Sequence, residues 1–388
     1  MFYEKRKDMS FRKTIAWLGL PVTIWYGVCV AVRNLLFELG VLRQSIPPVT
    51  TIGVGNIAVG GTGKTPLTDY LLGIFAERYV TAVVSRGYKR KSTGCIIHQP
   101  ETSEGGEATG PGAEVPDMLG TFGDEVSMLI EKHPQVSAAV SKWRKEAIDQ
   151  LMATEQPPQL VILDDVYQHR YVKPTINILL TEYSRLYSDD MILPFGNLRE
   201  SRAASRRANV IMVTKTPKKL NSLDRHMIAK RLRVQSYQKV FFSYIEYAEP
   251  VALLEGCQSA MPMEEVHHML CVTGIANPDP LLAELKQRGI RVEHMSFSDH
   301  HDFTAKDIEE IRKRFEAINS QSKIIITTEK DAVRLRKALC DSECQELPFY
   351  YLPMSIGFHD ESGVGFTDYI TSIVRENISF LSRLSTVR

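Results

Sequence analysis

A lysine and a threonine behind a run of glycines, two adjacent aspartates after an apolar run, an aspartate behind a glycine and two histidines between aspartates are this chain's chemically equipped residues. The first group lies in VTTIGVGNIAVGGTGKTPLTDYLL (49–72), which passes from a β-branched run through a glycine-rich loop into an amphipathic helix. Gly60, Gly61 and Gly63 can take backbone angles that residues with a Cβ avoid. Their N–H groups can then surround phosphate oxygens at the positive end of the following helix. In such a loop, spanning Ala58, Val59, Gly60, Gly61, Thr62, Gly63, Lys64 and Thr65, Lys64 reaches the β- and γ-phosphates and the Thr65 hydroxyl ligates Mg²⁺. Ala58 stands where the strict pattern has its first glycine. The competing interpretation is a glycine-rich turn that holds no nucleotide, but strand, glycines, Lys-Thr and helix come in the order phosphate binding requires.

Asp164 and Asp165 follow the apolar tetrad Leu160–Leu163. That reads as a buried parallel strand with carboxylates at its C-terminal end, where open sheets bind ligands. Either aspartate suits magnesium, a hard cation that takes oxygen ligands near phosphates; helix capping by Asp165 is the alternative. Asp124, in Gly123-Asp124-Glu125, could take a proton from a hydroxyl nucleophile or cap the helix behind it. In Ser298-Asp299-His300-His301-Asp302 one histidine is expected to face a cleft, and two neighbours pointing different ways make a poor metal site. The basic run Arg202, Arg206 and Arg207 reads as a solvated helix face or a patch for an anionic substrate.

The elements that position these groups alternate in α/β fashion. A first unit runs from the strand before the loop to Val210–Val213, and a strand over Lys239–Ile245 leads to a second: strand Met269–Val272, helix Pro280–Arg288, strand Val292–Ser296, helix Ala305–Ala317, strand Ile324–Thr327. Phe349–Leu352 reads as another strand, and a helix near Asp368–Leu381 closes the chain. The two strands flanking the second unit are expected to pair as a hinge. The division expected is 1–46, an N-terminal membrane-associated helix region; 47–237, the loop-bearing domain; 238–357, a second α/β domain with hinge strands; and 358–388, a helix packing back on the core. Residues 99–120, rich in Gly, Pro and Glu, read as a surface loop.

With 388 residues, 44% hydrophobic and 24% charged, the chain is an ordinary globular sequence long enough for two domains. A net charge of +1 gives no global reason to expect nucleic acid. Its six cysteines hold no C-x-x-C pair, which points to free thiols. Residues Thr14–Val32 carry no charge and follow a flank with Lys5, Arg6, Lys7, Arg12 and Lys13. As a helix this stretch is about 28 Å long, close to a bilayer core. A single span obeying the positive-inside bias would place the phosphate loop on the side without ATP. A helix lying in the interface avoids that contradiction, with Trp and Tyr at headgroup level and the basic residues on anionic lipid. A buried core helix is the alternative.

Together these motifs resemble the tetraacyldisaccharide 4′-kinase family. The resemblance rests on the apolar N-terminal helix, GNIAVGGTGKTP (55–66), SRGY (85–88), GDE (123–125), LDDVYQHR (163–170), PFGNLRE (194–200), SDHHDF (298–303) and TTEKDA (327–332). It implies a P-loop NTPase-like doubly wound parallel sheet, a smaller α/β domain on a two-stranded hinge, and a membrane-associated N-terminal helix. It also implies ATP with Mg²⁺, and phosphorylation of the 4′-hydroxyl of a lipid A disaccharide 1-phosphate at the cytoplasmic face of the inner membrane, with no obligate protein partner. Carried over residue by residue, Asp124 is the catalytic carboxylate paired with His300. Lys64, Asp164, Asp165 and Arg199 complete the catalytic set, with Thr65, Asp164 and Asp165 serving the metal. Gln168 and His169 line the site, and Glu200 works beside Arg199. Val166 and Val126 depart from the usual Gly and Pro without removing a chemical group. A membrane-associated ATPase switch and a soluble small-metabolite kinase are the competing classes.

Overall fold

The computed structural model describes residues 21–88, 90–100, 118–254, 262–340, 344, 346–359 and 365–386. The basic flank, residues 14–20 of the apolar stretch and residues 101–117 of the Gly-Pro-Glu loop lie outside them. A helix over 21–38 (α1) comes first. Then follow β1 (Thr50–Asn56), α2 (Lys64–Phe75), β2 (Thr81–Ser85), β3 (Ile96–His98), α3 (Met118–Phe122), α4 (Asp124–Lys132), β4 (Ser137–Val140), α5 (Arg144–Met152) and β5 (Leu160–Leu163). After them come β6 (Ile176–Glu182), β7 (Val210–Thr214), α6 (Ser222–Leu232) and β8 (Lys239–Tyr247). The rest is β9 (Val251–Ala252), β10 (His268–Thr273), α7 (Asp279–Gln287), β11 (Arg291–Ser296), α8 (Ala305–Ala317), β12 (Lys323–Thr328), α9 (Glu329–Cys340), β13 (Phe349–Leu352), β14 (Met354–Phe358) and α10 (Phe366–Thr386).

A nine-stranded sheet runs β14-β8-β7-β6-β1-β5-β2-β4-β3, and a five-stranded sheet runs β11-β10-β12-β13-β9. Both are parallel except at edge strands. β1 is buried along its whole length and lies between β5 and β6, as a strand covered on both faces must. Gly53 of β1 pairs with Leu163 of β5, so the glycine loop and Asp164 emerge together at the C-terminal edge. α2 seals one face through Leu67, Leu71, Leu72 and Phe75, all fully buried. Such side chains each stabilise the fold by roughly 1.5–3 kcal/mol. Phe366, Ile370 and Val374 of α10 join the same core, so the last helix does pack back on the large sheet.

The hinge expectation needs one correction. β8 pairs antiparallel with Met354–Phe358, whereas Phe349–Leu352 belongs to the five-stranded sheet beside β12. Pro353, which lacks an N–H donor, separates the two short strands, and its carbonyl accepts from Ala248. The chain therefore crosses between the sheets at two adjacent points, near Ala248 and at Pro353.

α1 inverts the usual amphipathic arrangement. Trp25, Val28, Val32, Leu35 and Leu39, at alternating spacings of three and four, are exposed. The opposite face is bonded to the protein. Tyr26 Oη donates to Arg199 O (2.8 Å), Arg33 to Gln168 O (2.6 Å) and Asn34 Nδ2 to Glu200 Oε2 (3.0 Å). Among the described residues no helix is long and apolar enough to cross a membrane.

Candidate active site

The loop begins later than the sequence suggests. Ala58 is buried in the core and bridges Leu198, Val59 N–H donates to Asn197 O, and Val59 O accepts from Arg185. That explains why position 58 tolerates a Cβ: the methyl group packs into the core. Gly60 (φ 107°) and Gly63 (φ 84°) take the left-handed angles expected of them, while Gly61 does not. Thr62 pins the turn, its hydroxyl accepting from Asn56 Nδ2 (2.8 Å) and its carbonyl from Thr214 (2.9 Å). α2 starts at Lys64 with neither a side-chain cap nor an acidic residue in its first turn. Its leading N–H groups, those of Lys64 and half-buried Thr65 among them, are thus left to an anion.

Beside the loop, Lys64 Nζ lies 3.6 Å from Asp165 Oδ1, and Arg199 lies 3.6 Å from Asp165 Oδ2. Asp165 sits at φ 45°, and its Oδ1 is buried without a hydrogen bond. Asp164 is buried and accepts from Thr68 and Ser85. Burial pushes its carboxyl up to about 7, with Glu125 and Asp165 adding to the shift and Lys64 and Arg144 opposing it. Two crowded carboxylates, one oxygen orphaned, beside a hydroxyl at a helix start form an all-oxygen donor set that fits a hard divalent cation. Arg144, at the start of α5, braces both aspartates by donating to their carbonyls.

The second cluster joins the two sheets. His300, following β11, bonds through Nδ1 to Oδ2 of Asp124, the first residue of α4, at 3.0 Å. Its Nε2 lies 3.1 Å from Lys330 Nζ. An ammonium only donates, so Nε2 accepts and the proton sits on Nδ1, directed at the carboxylate. His300 is at φ 58°, an uncommon backbone state for a non-glycine residue. His301 turns the other way, bonded to Asp307 and stacked on Phe297. Sequence reasoning named Asp124 and His300 but missed Lys330 as their neighbour, although it lies within TTEKDA.

Not every named residue converges. Gln168 does: its amide donates to Asn56 O and its oxygen accepts from Arg199. Glu200 is buried and held bidentately by Arg207, which also packs over the Tyr167 ring. Arg202 bonds to Asp190 O, so two members of the arginine run serve the fold. His169 faces Trp143 and Tyr171 in a separate cleft of about 580 Å³ whose lining includes no phosphate-loop residue. Burial first, then Arg144, Arg33 and Arg86, lower its pKa to about 4. Unfolded, the ring would protonate near pH 6.5. It therefore costs stability as pH falls from about 6.5 towards 4 and nothing above that window. His169→Gln is expected to shrink the loss of melting temperature between pH 7 and pH 4.5; an unchanged loss would contradict a neutral buried imidazole.

The family model described as Tetraacyldisaccharide-1-P 4′-kinase matches residues 15–371. A tetraacyldisaccharide 4′-kinase of Phocaeicola vulgatus is 39% identical over 365 residues, covering 93% of this chain and 95% of that protein. One from Bacteroides thetaiotaomicron is 39% identical over 380 residues, covering 95% and 96%. The crystal structure of LpxK from Aquifex aeolicus in complex with ATP has the same fold, with a TM-score of 0.68 at 24% identity, covering 94% of this chain and 99% of that one.

Proposed function

We propose that this chain, which belongs to the tetraacyldisaccharide 4′-kinase family, transfers the γ-phosphoryl group of ATP to the 4′-hydroxyl of a tetraacylated glucosamine disaccharide 1-phosphate in lipid A synthesis. The observation that carries the residue assignment is the Asp124–His300 hydrogen bond, contributed from opposite sheets. Gly60 to Thr65 hold the donor's phosphates through N–H groups, and Lys64 compensates their charge. Thr65, Asp164 and Asp165 would hold Mg²⁺, which when bound neutralises charge on the phosphate oxygens. Asp124 Oδ2 is occupied by His300, which leaves Oδ1 to receive the proton of the attacking hydroxyl. The new bond forms from the 4′-hydroxyl oxygen to the γ-phosphorus, the bond to the β-phosphate oxygen breaks, and ADP leaves with its electron pair. Arg199 stands over the same phosphates from the Asp165 side.

The acceptor carries several acyl chains, and α1 supplies the means to meet it at the inner membrane's cytoplasmic face, where ATP is found. Its exposed apolar stripe suits the acyl boundary, while its polar side is already satisfied by the protein. Sedimentation with anionic liposomes checks this. Trp25→Glu with Leu35→Glu should weaken binding tenfold or more, because each buried large apolar side chain is worth about 1.5–3 kcal/mol. Unchanged sedimentation would remove α1 from the membrane.

Label transfer tests the reaction itself. With γ-labelled ATP, Mg²⁺ and the acylated disaccharide 1-phosphate in detergent micelles, label should move to the lipid. Hydrolysis of ATP without labelled lipid would favour an ATPase switch instead.

A further inference from the structure

We infer that Arg334 is a positioning residue for the phosphoryl transfer, reaching from the small sheet to hold Asp124 in place; the inference rests on Asp124 being the catalytic carboxylate. Arg334 lies on α9, outside every sequence motif considered above, and its side chain is 3% exposed. Two of its nitrogens are committed. Nη1 donates to His301 O (3.0 Å) and Nη2 to Asp331 Oδ1 (2.7 Å). Asp331 is wholly buried and fixed in turn by Gly274 N–H (2.9 Å) and the Thr328 hydroxyl (2.7 Å). The guanidinium therefore has one orientation.

In that orientation the remaining nitrogen, Nε, is buried and makes no hydrogen bond. The acceptor it faces is Asp124 Oδ2, 3.6 Å away, a few tenths of an ångström beyond bonding distance. A buried N–H on a charged group left unsatisfied is costly, and a small approach of the sheets would satisfy it. Charge pairs hold the seam on either side of this contact. Along α4 and α9, Glu125 faces Lys330 (3.6 Å), Lys132 faces Glu329 (2.8 Å), and Glu131 pairs with Arg336. Gly123, the N-cap residue just before Asp124, sits at φ 83° where a Cβ would come within 2.7 Å of Tyr88 O, so the backbone that carries Asp124 is closely packed. The same oxygen accepts from His300, and so the carboxylate is aimed by two groups of the small sheet, with Oδ1 left towards the acceptor.

Steady-state kinetics on the full-length protein in detergent, with ATP and the acylated disaccharide 1-phosphate, tests this through a double-mutant cycle. Arg334→Met should lower kcat by about thirtyfold with KM for ATP changed less than about threefold, and Arg334→Lys, which keeps the charge but lacks the Nε donor, by about fivefold. In the Asp124→Asn background either change should cost less than about threefold, since the group being positioned is gone. Asp331→Asn separates folding from positioning: it loosens the same buried pair yet leaves Nε facing Asp124, and should cost less kcat than Arg334→Met. Equal losses in both backgrounds, or an Arg334→Met enzyme at full kcat beside a slow Asp124→Asn enzyme, overturn the inference. Full turnover by Asp124→Asn instead overturns the assignment of Asp124 itself. If Arg334→Met melts below assay temperature, the Arg334→Lys cycle decides by the same criteria.

Discussion

Lys64→Ala is expected to cut phosphoryl transfer by about 10²–10³, the loss typical when a preorganised charge is removed from a developing anion. Lys64 is the phosphate loop's own cation, on the first turn of a helix that has no capping side chain. In the structure its ammonium lies 3.6 Å from Asp165, which invites a rival explanation in which it merely neutralises that aspartate. The two accounts diverge in the double variant. If Lys64 served only Asp165, Asp165→Asn would restore activity to Lys64→Ala. If it serves the phosphates, the double variant stays slow or becomes slower, because the carboxylate proposed to hold Mg²⁺ is lost too. KM for ATP should rise together with the fall in kcat, since the lysine contacts phosphate before as well as during transfer. Measured kcat and KM for both variants, with melting temperatures to show that the fold survives, check the expectation.

Asp124→Asn is expected to lower kcat by about 10³ while leaving ATP affinity within about threefold, as a general base contributes roughly 10²–10⁴. The amide keeps the shape of the carboxylate, and its oxygen still accepts from His300, so the cleft stays assembled. Asp124→Ala is a poorer test, because it removes both the acceptor of His300 and the carboxylate that faces the buried Arg334 guanidinium. ATP affinity should stay within that range because Asp124 lies on α4, a helix distinct from the one that opens the phosphate loop. An Asp124→Asn enzyme with normal kcat but reduced melting temperature would show a residue that serves only the fold.

Much of this was readable from residue order. A buried β-branched strand, glycines, Lys-Thr and an apolar helix face cannot be arranged in many ways, and an apolar tetrad ending in two aspartates belongs at a sheet's ligand edge. His300 against Asp124 was legible only through the motif, since nothing local says which of two adjacent histidines turns inward. The choice is made by a left-handed backbone at 300 and by Phe297 and Asp307 occupying His301. The hinge was misassigned because Phe349–Leu352 and Met354–Phe358 look alike in sequence, and only Pro353 marks the change of sheet. α9 was missed because it begins immediately after β12, with TTEKDA drawing attention to chemistry instead of to the apolar face of Ala332, Leu335 and Leu339 behind it. The resemblance implies that His169 lines the site, and here its ring lies among Trp143 and Tyr171.

The bonds that tie α1 to the protein end on Gln168 O, Arg199 O and the Glu200 carboxylate, within the two segments that present Gln168 and Arg199 to the phosphate side. The helix with the exposed apolar stripe is therefore also a support for the site. Thermodynamic linkage makes such an arrangement reciprocal: whatever α1 adds to ligand affinity, bound ligands return as added affinity of α1 for its seat. A chain shortened at residue 40 to gain solubility would forfeit that support, and would bind its ligands more weakly even when the acceptor is delivered in micelles.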